Sequence, residues 1–331
     1  MPPLKILIIR LSSIGDIVLT TPVIRCLKLQ IPDIEIHFLT KPQFSGILRS
    51  NPYISKIHFW MNSVRQTAEV LKKEDFTHLI DLHNNQRTLL LKCNLNIPSK
   101  SYQKLNLQKW LMVQFKYNCL PNLHIVDRYL ETVSFLGVQN DGAGLDFFIP
   151  FEEEVNIAQT FPRLGSKHFV AMPVGAAHAT KCLPFHKLLN ICELLKMPVI
   201  VLGNEKDGET GQKLSQKLPN QVFNACGKFS LTQSASIIRQ ATKVITPDTG
   251  LMHIAAAFNK PIISIWGNTI PEFGMYPYLP LKNPSNSTMF EVSGLSCRPC
   301  SKIGFEACPK KHFRCMEFID ENHIADLANE L

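Results

Sequence analysis

Asp16 closes the segment Ile6-Leu7-Ile8-Ile9-Arg10-Leu11-Ser12-Ser13-Ile14-Gly15-Asp16. The order is an apolar run, a short polar turn and a helix start. It puts a carboxylate at the carboxyl end of a strand, where it can take a proton from an attacking hydroxyl. Ser12 and Ser13 can donate hydrogen bonds to a ligand, and Gly15 admits an unusual backbone angle or a close ligand approach. Asp16 serves equally well as a helix cap, which the helix dipole favours. G-x-G-x-x-G is absent after this strand, which speaks against an NAD or FAD enzyme.

A second group suits anions. In Thr246-Pro247-Asp248-Thr249-Gly250-Leu251-Met252-His253 a strand ends in Asp-Thr-Gly and a small-residue helix begins at once. The Thr249 hydroxyl, the backbone N–H groups at Gly250 and the helix dipole can hold a phosphate. An ordinary strand–turn–helix connection with a threonine cap has the same pattern, and His253 can be a buried structural histidine. Upstream, Thr180 and Lys181 follow Gly175 and another strand. Lys181 offers a positive charge for a diphosphate, although a lone loop lysine is usually solvated surface. Glu205 lies just past the next strand, where an acid commonly holds ribose hydroxyls or caps a helix.

Four cysteines follow the spacing Cys297-x2-Cys300-x7-Cys308-x6-Cys315. They can form a structural zinc site, stay as free or redox-active thiols, or pair as disulfides. Between Leu82 and Val126 there are six basic residues and no acid, and Lys104–Phe115 mixes lysines with Leu107, Trp110, Leu111, Met112 and Phe115. That stretch fits an anionic glycolipid and a membrane surface, or a helix with a solvated basic face.

Positioning these groups requires strands that end beside one another. Leu4–Arg10, Glu35–Leu39, Lys56–Trp60 and His78–Leu82 read as buried strands, with a helix over Asp16–Leu29 kinked at Pro22. A second series follows at His168–Met172, Val199–Leu202, Val222–Asn224, Val244–Thr246 and Ile262–Trp266, each separated by helical patterns. Two β/α series in 331 residues imply two doubly wound α/β domains, divided between Asp141 and Ser166, a segment that includes Gly165. The 45% hydrophobic and 19% charged composition excludes a mostly disordered chain. No apolar run approaches the roughly 18 residues of a membrane span, and Met1 to Arg10 reads as a strand rather than a signal peptide. A cytoplasmic protein is expected. The net charge of +8 favours an anionic partner without naming it.

Taken together, the segments resemble glycosyltransferase family 9, the ADP-heptose:lipopolysaccharide heptosyltransferases. The resemblance rests on Ile8 to Val23 around Arg10, Gly15 and Asp16, and on His124-Ile125-Val126-Asp127-Arg128-Tyr129. It also rests on Thr180-Lys181-Cys182-Leu183-Pro184, and on Asp248 to His253 through Pro261 to Trp266-Gly267-Asn268-Thr269. It covers nearly the whole chain in order. It implies a GT-B architecture, with two Rossmann-like domains facing a central cleft. Residues 1–150 would bind the acceptor, and residues 151–331, with the cysteine-rich tail, the nucleotide sugar. It also implies inverting transfer of heptose from ADP-heptose to a lipopolysaccharide-core acceptor. Asp16 would be the catalytic base, suited to it where its surroundings raise its pKa. Lys181 would meet the donor phosphates, with Thr180, Glu205, Asp248, Thr249, Gly250 and His253 also on the donor. Ser12, Ser13, Gly15 and Arg128 would face the acceptor. Cys182-Leu183 departs from the family, which more often has a basic residue and tryptophan before the proline. No obligate metal is expected, since no metal-binding D-x-D stands near these elements; Mg2+ can accompany the diphosphate, and structural zinc the cysteines. Contact with the inner membrane surface is expected, and nucleic acid is not. Competing readings are another donor sugar, a nucleotide-sugar epimerase and a non-catalytic nucleotide- or glycan-binding regulator.

Overall fold

The computed structural model describes residues 4–164, 168–283 and 286–330, so Gly165 and Ser166 of the expected boundary lie outside the described residues. The chain forms two compact units. The first comprises Met1–Lys104, Leu123–Phe148 and Pro280–Lys282, and the second Leu105–Asn122, Ile149–Leu279 and Asn283–Leu331.

The first unit is built on β1 (Lys5–Ile9), β2 (Glu35–Thr40), β3 (Lys56–Phe59), β4 (His78–Asp81) and β5 (Ser99–Ser101), all parallel, in the order β3-β2-β1-β4-β5. Ile6–Ile9 is fully buried because both faces of the central strand are covered, which is why it reads as a continuous apolar run. The helices are α1 (Ile14–Val18), α2 (Thr21–Gln30), α3 (Val64–Leu71) and α4 (Gln86–Leu95). The single kinked helix expected over Asp16–Leu29 is two helices. Pro22 stands in the first turn of α2, where its missing N–H costs nothing, so it starts a helix instead of bending one.

The chain then contributes α5 (Asn106–Phe115) to the second unit and returns for α6 (Ile125–Leu130). Lys116 donates to the Pro299 carbonyl at 2.8 Å and Lys109 lies over the Phe273 ring, contacts that hold residues 105–122 to the second unit although the sequence groups them with residues 1–150. At the end of the first unit, buried Arg25 of α2 grips Asp141 at 2.7 Å, Asp146 and the Gly144 carbonyl, folding this segment back on the unit.

In the second unit, after the short helix α7 (Ile157–Thr160), come β6 (Val170–Pro173), α8 (Phe185–Leu194), β7 (Val199–Leu202), α9 (Gly208–Lys217), β8 (Val222–Asn224) and α10 (Leu231–Gln240). There follow β9 (Lys243–Pro247), α11 (Gly250–Ala257), β10 (Ile262–Trp266), β11 (Ser287–Glu291), α12 (Arg314–Glu317) and α13 (Glu321–Asn329). The parallel sheet runs β11-β10-β9-β6-β7-β8. The two strands not anticipated, β5 and β11, are both at sheet edges. Edge strands need no two-sided apolar face, so Ser99-Lys100-Ser101 and Ser287-Thr288-Met289 carry little strand signal.

Each sheet has one point where successive strands turn to opposite sides: between β1 and β4 in the first unit, and between β6 and β9 in the second. Ligands of such sheets sit outside the carboxyl ends of the strands at that point.

Candidate functional site

In the first unit the switch point gathers the segments after β1 and β4. Asp16 lies in the first turn of α1, half-buried. Its Oδ2 accepts from the Ser13 N–H at 3.1 Å and the Ser13 hydroxyl at 2.7 Å, and its Oδ1 is 2.5 Å from the Arg10 guanidinium. Arg10 is itself buried, donates to the Ser12 carbonyl at 2.8 Å and to the Leu82 carbonyl, and lies over the Tyr129 ring. Burial opposes the Asp16 charge, but the Arg10 guanidinium and the Ser13 hydrogen bonds prevail and hold the carboxyl below its ordinary value. Arg10 is likewise buried against its own charge, and Asp16 raises its pKa. The condition that the sequence attaches to base work, surroundings that raise the Asp16 pKa, is not met: the surroundings favour its ionised form.

Asp16 also turns back to the Ser13 N–H, so the capping reading and the base reading describe one side chain. Gly15 is buried inside α1 with helical backbone, so it supplies no unusual angle. Arg128 of α6 is buried beside Tyr102 and Tyr129 and donates to the Gln103 carbonyl at 3.1 Å; burial is what lowers its pKa. His83, just after β4, is pushed down to about 4, first by burial and then by the nearby Arg10 charge. Tyr102 and His83 carry no sequence signal, and Tyr129 and Arg10 stand in the recognised motifs without a role of their own. Arg10 sits inside the recognised motif, but its contact with Leu82 spans 72 residues and only the fold reveals it.

In the second unit the switch point joins Lys181, after β6, to Asp248, after β9. Lys181 Nζ is 2.6 Å from Asp248 Oδ2, which also accepts from the Thr269 hydroxyl at 2.9 Å. The lysine read as an isolated positive charge is thus paired and positioned by Asp248. Thr249 is the first residue before α11, yet its side chain makes no capping hydrogen bond, so its hydroxyl is left for other use at the helix start with Gly250. His253 is 2% exposed and buried one turn into α11, and Thr180 is also 2% exposed. The Thr180 hydroxyl accepts from the Phe305 N–H at 2.8 Å, tying its loop to the tail.

Past β7, Gly203, Asn204, Glu205, Lys206, Gly227 and Phe229 line a depression of about 460 Å3. Asn204 and Asp207 do the local capping: Asn204 Oδ1 accepts from the Lys206 N–H, and Asp207 Oδ2 from the Asn204 N–H, both at 2.8 Å. Glu205 is exposed and is not spent on the cap. A Cβ built on Gly175 would stand 2.0 Å from Asp207 Oδ2, so this glycine makes room for the carboxylate that shapes the turn. Gly175→Ala is expected to cost about 1–3 kcal/mol through overpacking. Urea unfolding checks this, and adding Asp207→Ala should recover part of the loss.

The tail is fastened behind Lys181, Asp248 and Thr269. Arg298 donates to the Thr269 carbonyl at 3.0 Å and pairs with Glu291 at 2.9 Å, while the Cys300 N–H donates to the Asn268 carbonyl at 3.1 Å. Cys297, Cys300, Cys308 and Cys315 are free thiols. Among the described residues no three of their sulfurs all lie within 4.8 Å of one another, although Cys300 and Cys315 both feel the charges of Cys297 and Cys308. Burial pushes Cys300 up to about 11 and Cys315 up to about 12. In α5, Leu107, Trp110 and Phe115 are exposed. Among the described residues no helix is long and apolar enough to cross a membrane.

Comparison with known proteins bears on the family and the fold. The family model of glycosyltransferase family 9 (heptosyltransferase) matches residues 64–305. Lipopolysaccharide heptosyltransferase 1 of Campylobacter coli is 27% identical, covering 99% of this chain and 99% of that protein. Lipooligosaccharide heptosyltransferase 2 of Haemophilus influenzae is 24% identical, covering 82% and 85%. Among solved structures, a family 9 glycosyltransferase of Veillonella parvula superposes with a TM-score of 0.78 at 21% identity, over 98% of this chain and 96% of that one. The E. coli heptosyltransferase WaaC with ADP gives 0.70 at 18% identity, over 99% of each. The two parallel-sheet α/β units are those of the GT-B fold.

Proposed function

The chain belongs to glycosyltransferase family 9, and we propose that it transfers heptose from ADP-heptose to a lipopolysaccharide-core acceptor. The observation that carries this reading is the Asp16 carboxylate, kept ionised by Arg10 and Ser13 at the carboxyl end of β1. The Campylobacter and Haemophilus relatives are heptosyltransferases by name, which supports the same sugar.

In the reaction, an acceptor hydroxyl forms a bond to the anomeric carbon as the bond to the nucleoside diphosphate breaks on the opposite face, which inverts that carbon. The hydroxyl proton goes to Asp16. An acceptor oxygen bonding to an electron-poor anomeric carbon becomes strongly acidic, so a carboxylate of low pKa suffices to take the proton late in the displacement. The leaving diphosphate gains negative charge, which Lys181 and the N–H groups at the start of α11 stabilise without rearranging. Glu205 has the place and the uncommitted carboxylate to hold ribose hydroxyls. Ser12, Ser13 and Arg128 belong to the acceptor side in this reading.

The exposed Leu107, Trp110 and Phe115 of α5, interleaved with Lys109, support contact with an anionic membrane surface, which co-sedimentation with anionic vesicles tests. Zinc at the four cysteines stays a proposal from their spacing; the tail would have to draw the thiols together, and metal analysis of the chain beside Cys300→Ser tests it.

The deciding experiment supplies ADP-heptose and rival nucleotide sugars with a lipid A-core acceptor and follows product mass and diphosphate release. Acceptor-dependent heptosyl transfer is the expected result. Transfer of another sugar would replace the donor, conversion of the donor without an acceptor would indicate an epimerase, and binding without turnover a regulator.

A further inference from the structure

Away from Asp16, β2, β3 and the segment after α3 hold a second polar cluster. His37 on β2 and His58 on β3 are 3% and 6% exposed, and His37 Nδ1 lies 2.9 Å from His58 Nε2. Glu74, just beyond α3, brings carboxylate oxygens within 3.8 Å of His37 Nδ1 and 3.9 Å of His58 Nε2. Phe76 closes the cluster with its edge against both imidazoles. Among the described residues this is the one group of three or more His, Cys, Asp or Glu side chains whose ligand atoms converge closely enough to share an ion.

We propose that His37, His58 and Glu74 form a site for a divalent first-row cation of the zinc class, which clasps the edge strand β3 to β2 and to the segment after α3. Ligand atoms about 2.0–2.1 Å from one such ion stand about 3–4 Å from each other; the Glu74 oxygens meet that at 3.8 and 3.9 Å, and the imidazoles, hydrogen-bonded to each other at 2.9 Å, need part only slightly to admit the ion. Two imidazole nitrogens and one carboxylate are a ligand set that zinc, cobalt and nickel accept, with water in the remaining position. The other nitrogen of His37, Nε2, faces Glu35 at 3.7 Å. A carboxylate on the far nitrogen of a ligating histidine is the usual outer support of such a ligand.

Lys5 and Lys56 place positive charge beside the imidazoles, and Glu74 and Glu35 offset it. Lys5 stands 3.2 Å from Glu74 and 3.6 Å from Glu35, and Lys56 stands 2.5 Å from Glu74, so two carboxylates balance two ammonium groups. Lys56 is the more exposed of the two lysines and competes with the ion for Glu74. Binding would release it to solvent. No residue of the set belongs to the transfer chemistry, so the site is structural and separable from turnover.

The test is a titration of the metal-stripped full chain with Co2+, followed by visible absorption and by the unfolding midpoint. One equivalent should bind through nitrogen and oxygen and raise the midpoint. Thiolate-to-cobalt charge transfer would mark any equivalent held by the tail, and Cys300→Ser removes that contribution. His58→Gln and Glu74→Gln should each weaken the nitrogen–oxygen equivalent at least about tenfold. Lys56→Ala, a surface change that leaves the fold in place, should tighten it several-fold. The proposal is overturned if a folded chain binds no Co2+ outside the thiols, if binding survives His58→Gln unchanged, or if Lys56→Ala leaves the affinity where it was.

Discussion

Asp16→Asn lowers kcat by about 10²- to 10⁴-fold while ADP binding stays as in the wild type, because the variant keeps the shape of the side chain and loses the carboxylate that takes the proton; it also leaves Arg10 without its ion pair, so the unfolding midpoint is measured beside the rate. The surroundings sharpen this expectation. Arg10 and Ser13 hold the Asp16 carboxyl below its ordinary value against the opposing effect of burial. The sign follows directly. A depressed pKa means the ionised, proton-accepting form is present at every pH above the ordinary carboxylate range and is lost only as pH falls below it. The kcat/KM profile of the wild type should therefore show no acid limb from Asp16 between pH 5 and 8.

Arg10→Met tests the positioning role in the same profile. It removes the opposing charge and leaves burial, so the Asp16 pKa rises and an acid limb moves up into the accessible range. Arg10→Lys keeps a charge beside Asp16 and should leave the limb low. A guanidinium that only braced the Leu82 carbonyl would change stability without moving the limb. If Asp16→Asn retains near-wild-type kcat, the base lies elsewhere.

How much of this could be read from sequence follows from where each partner lies in the chain. Asp16 is legible because its strand, turn and helix are contiguous: Ile6–Ile9 is buried on both faces, and the polar turn breaks the run. Its pKa is not legible, because Arg10 is aimed by the Leu82 carbonyl of another strand end, and the sheet order that brings β1 beside β4 leaves no local trace. Lys181 and Asp248 were each found by motif, yet their pairing spans 67 residues and depends on β9 adding beside β6 instead of beside β8. His37, His58 and Glu74 illustrate the limit further. Each is an unremarkable residue in its own segment, and only the pairing of β2 with β3, in which His58 lies opposite Leu39, two residues on from His37, brings the imidazoles into contact. The cysteine spacing was conspicuous, but its neighbours Arg298 and Phe305 are what fasten the tail to the Thr269 and Thr180 segments.

The pairing of Lys181 with Asp248 sets the second large effect. Lys181→Ala removes one preorganised donor from the leaving diphosphate, a loss of about 10²- to 10³-fold in kcat by analogy with other oxyanion donors. It also strips the partner from Asp248, whose carboxylate then meets the diphosphate with only the Thr269 hydroxyl on it. Like charges repel, so the single variant should lose ADP affinity as well as rate. Removing the carboxylate in turn relieves that repulsion. The double variant Lys181→Ala/Asp248→Ala is therefore expected to bind ADP more tightly than Lys181→Ala alone while its kcat stays low, a non-additive cycle that calorimetry and steady-state kinetics measure separately. Additive losses in both quantities would mean that Asp248 serves the fold through Thr269 and does not share the phosphate site with Lys181. Thr269→Val completes the argument: it removes the remaining hydrogen bond to Asp248 without touching Lys181, and should cost much less than either charged variant if the lysine is the group that meets the phosphate.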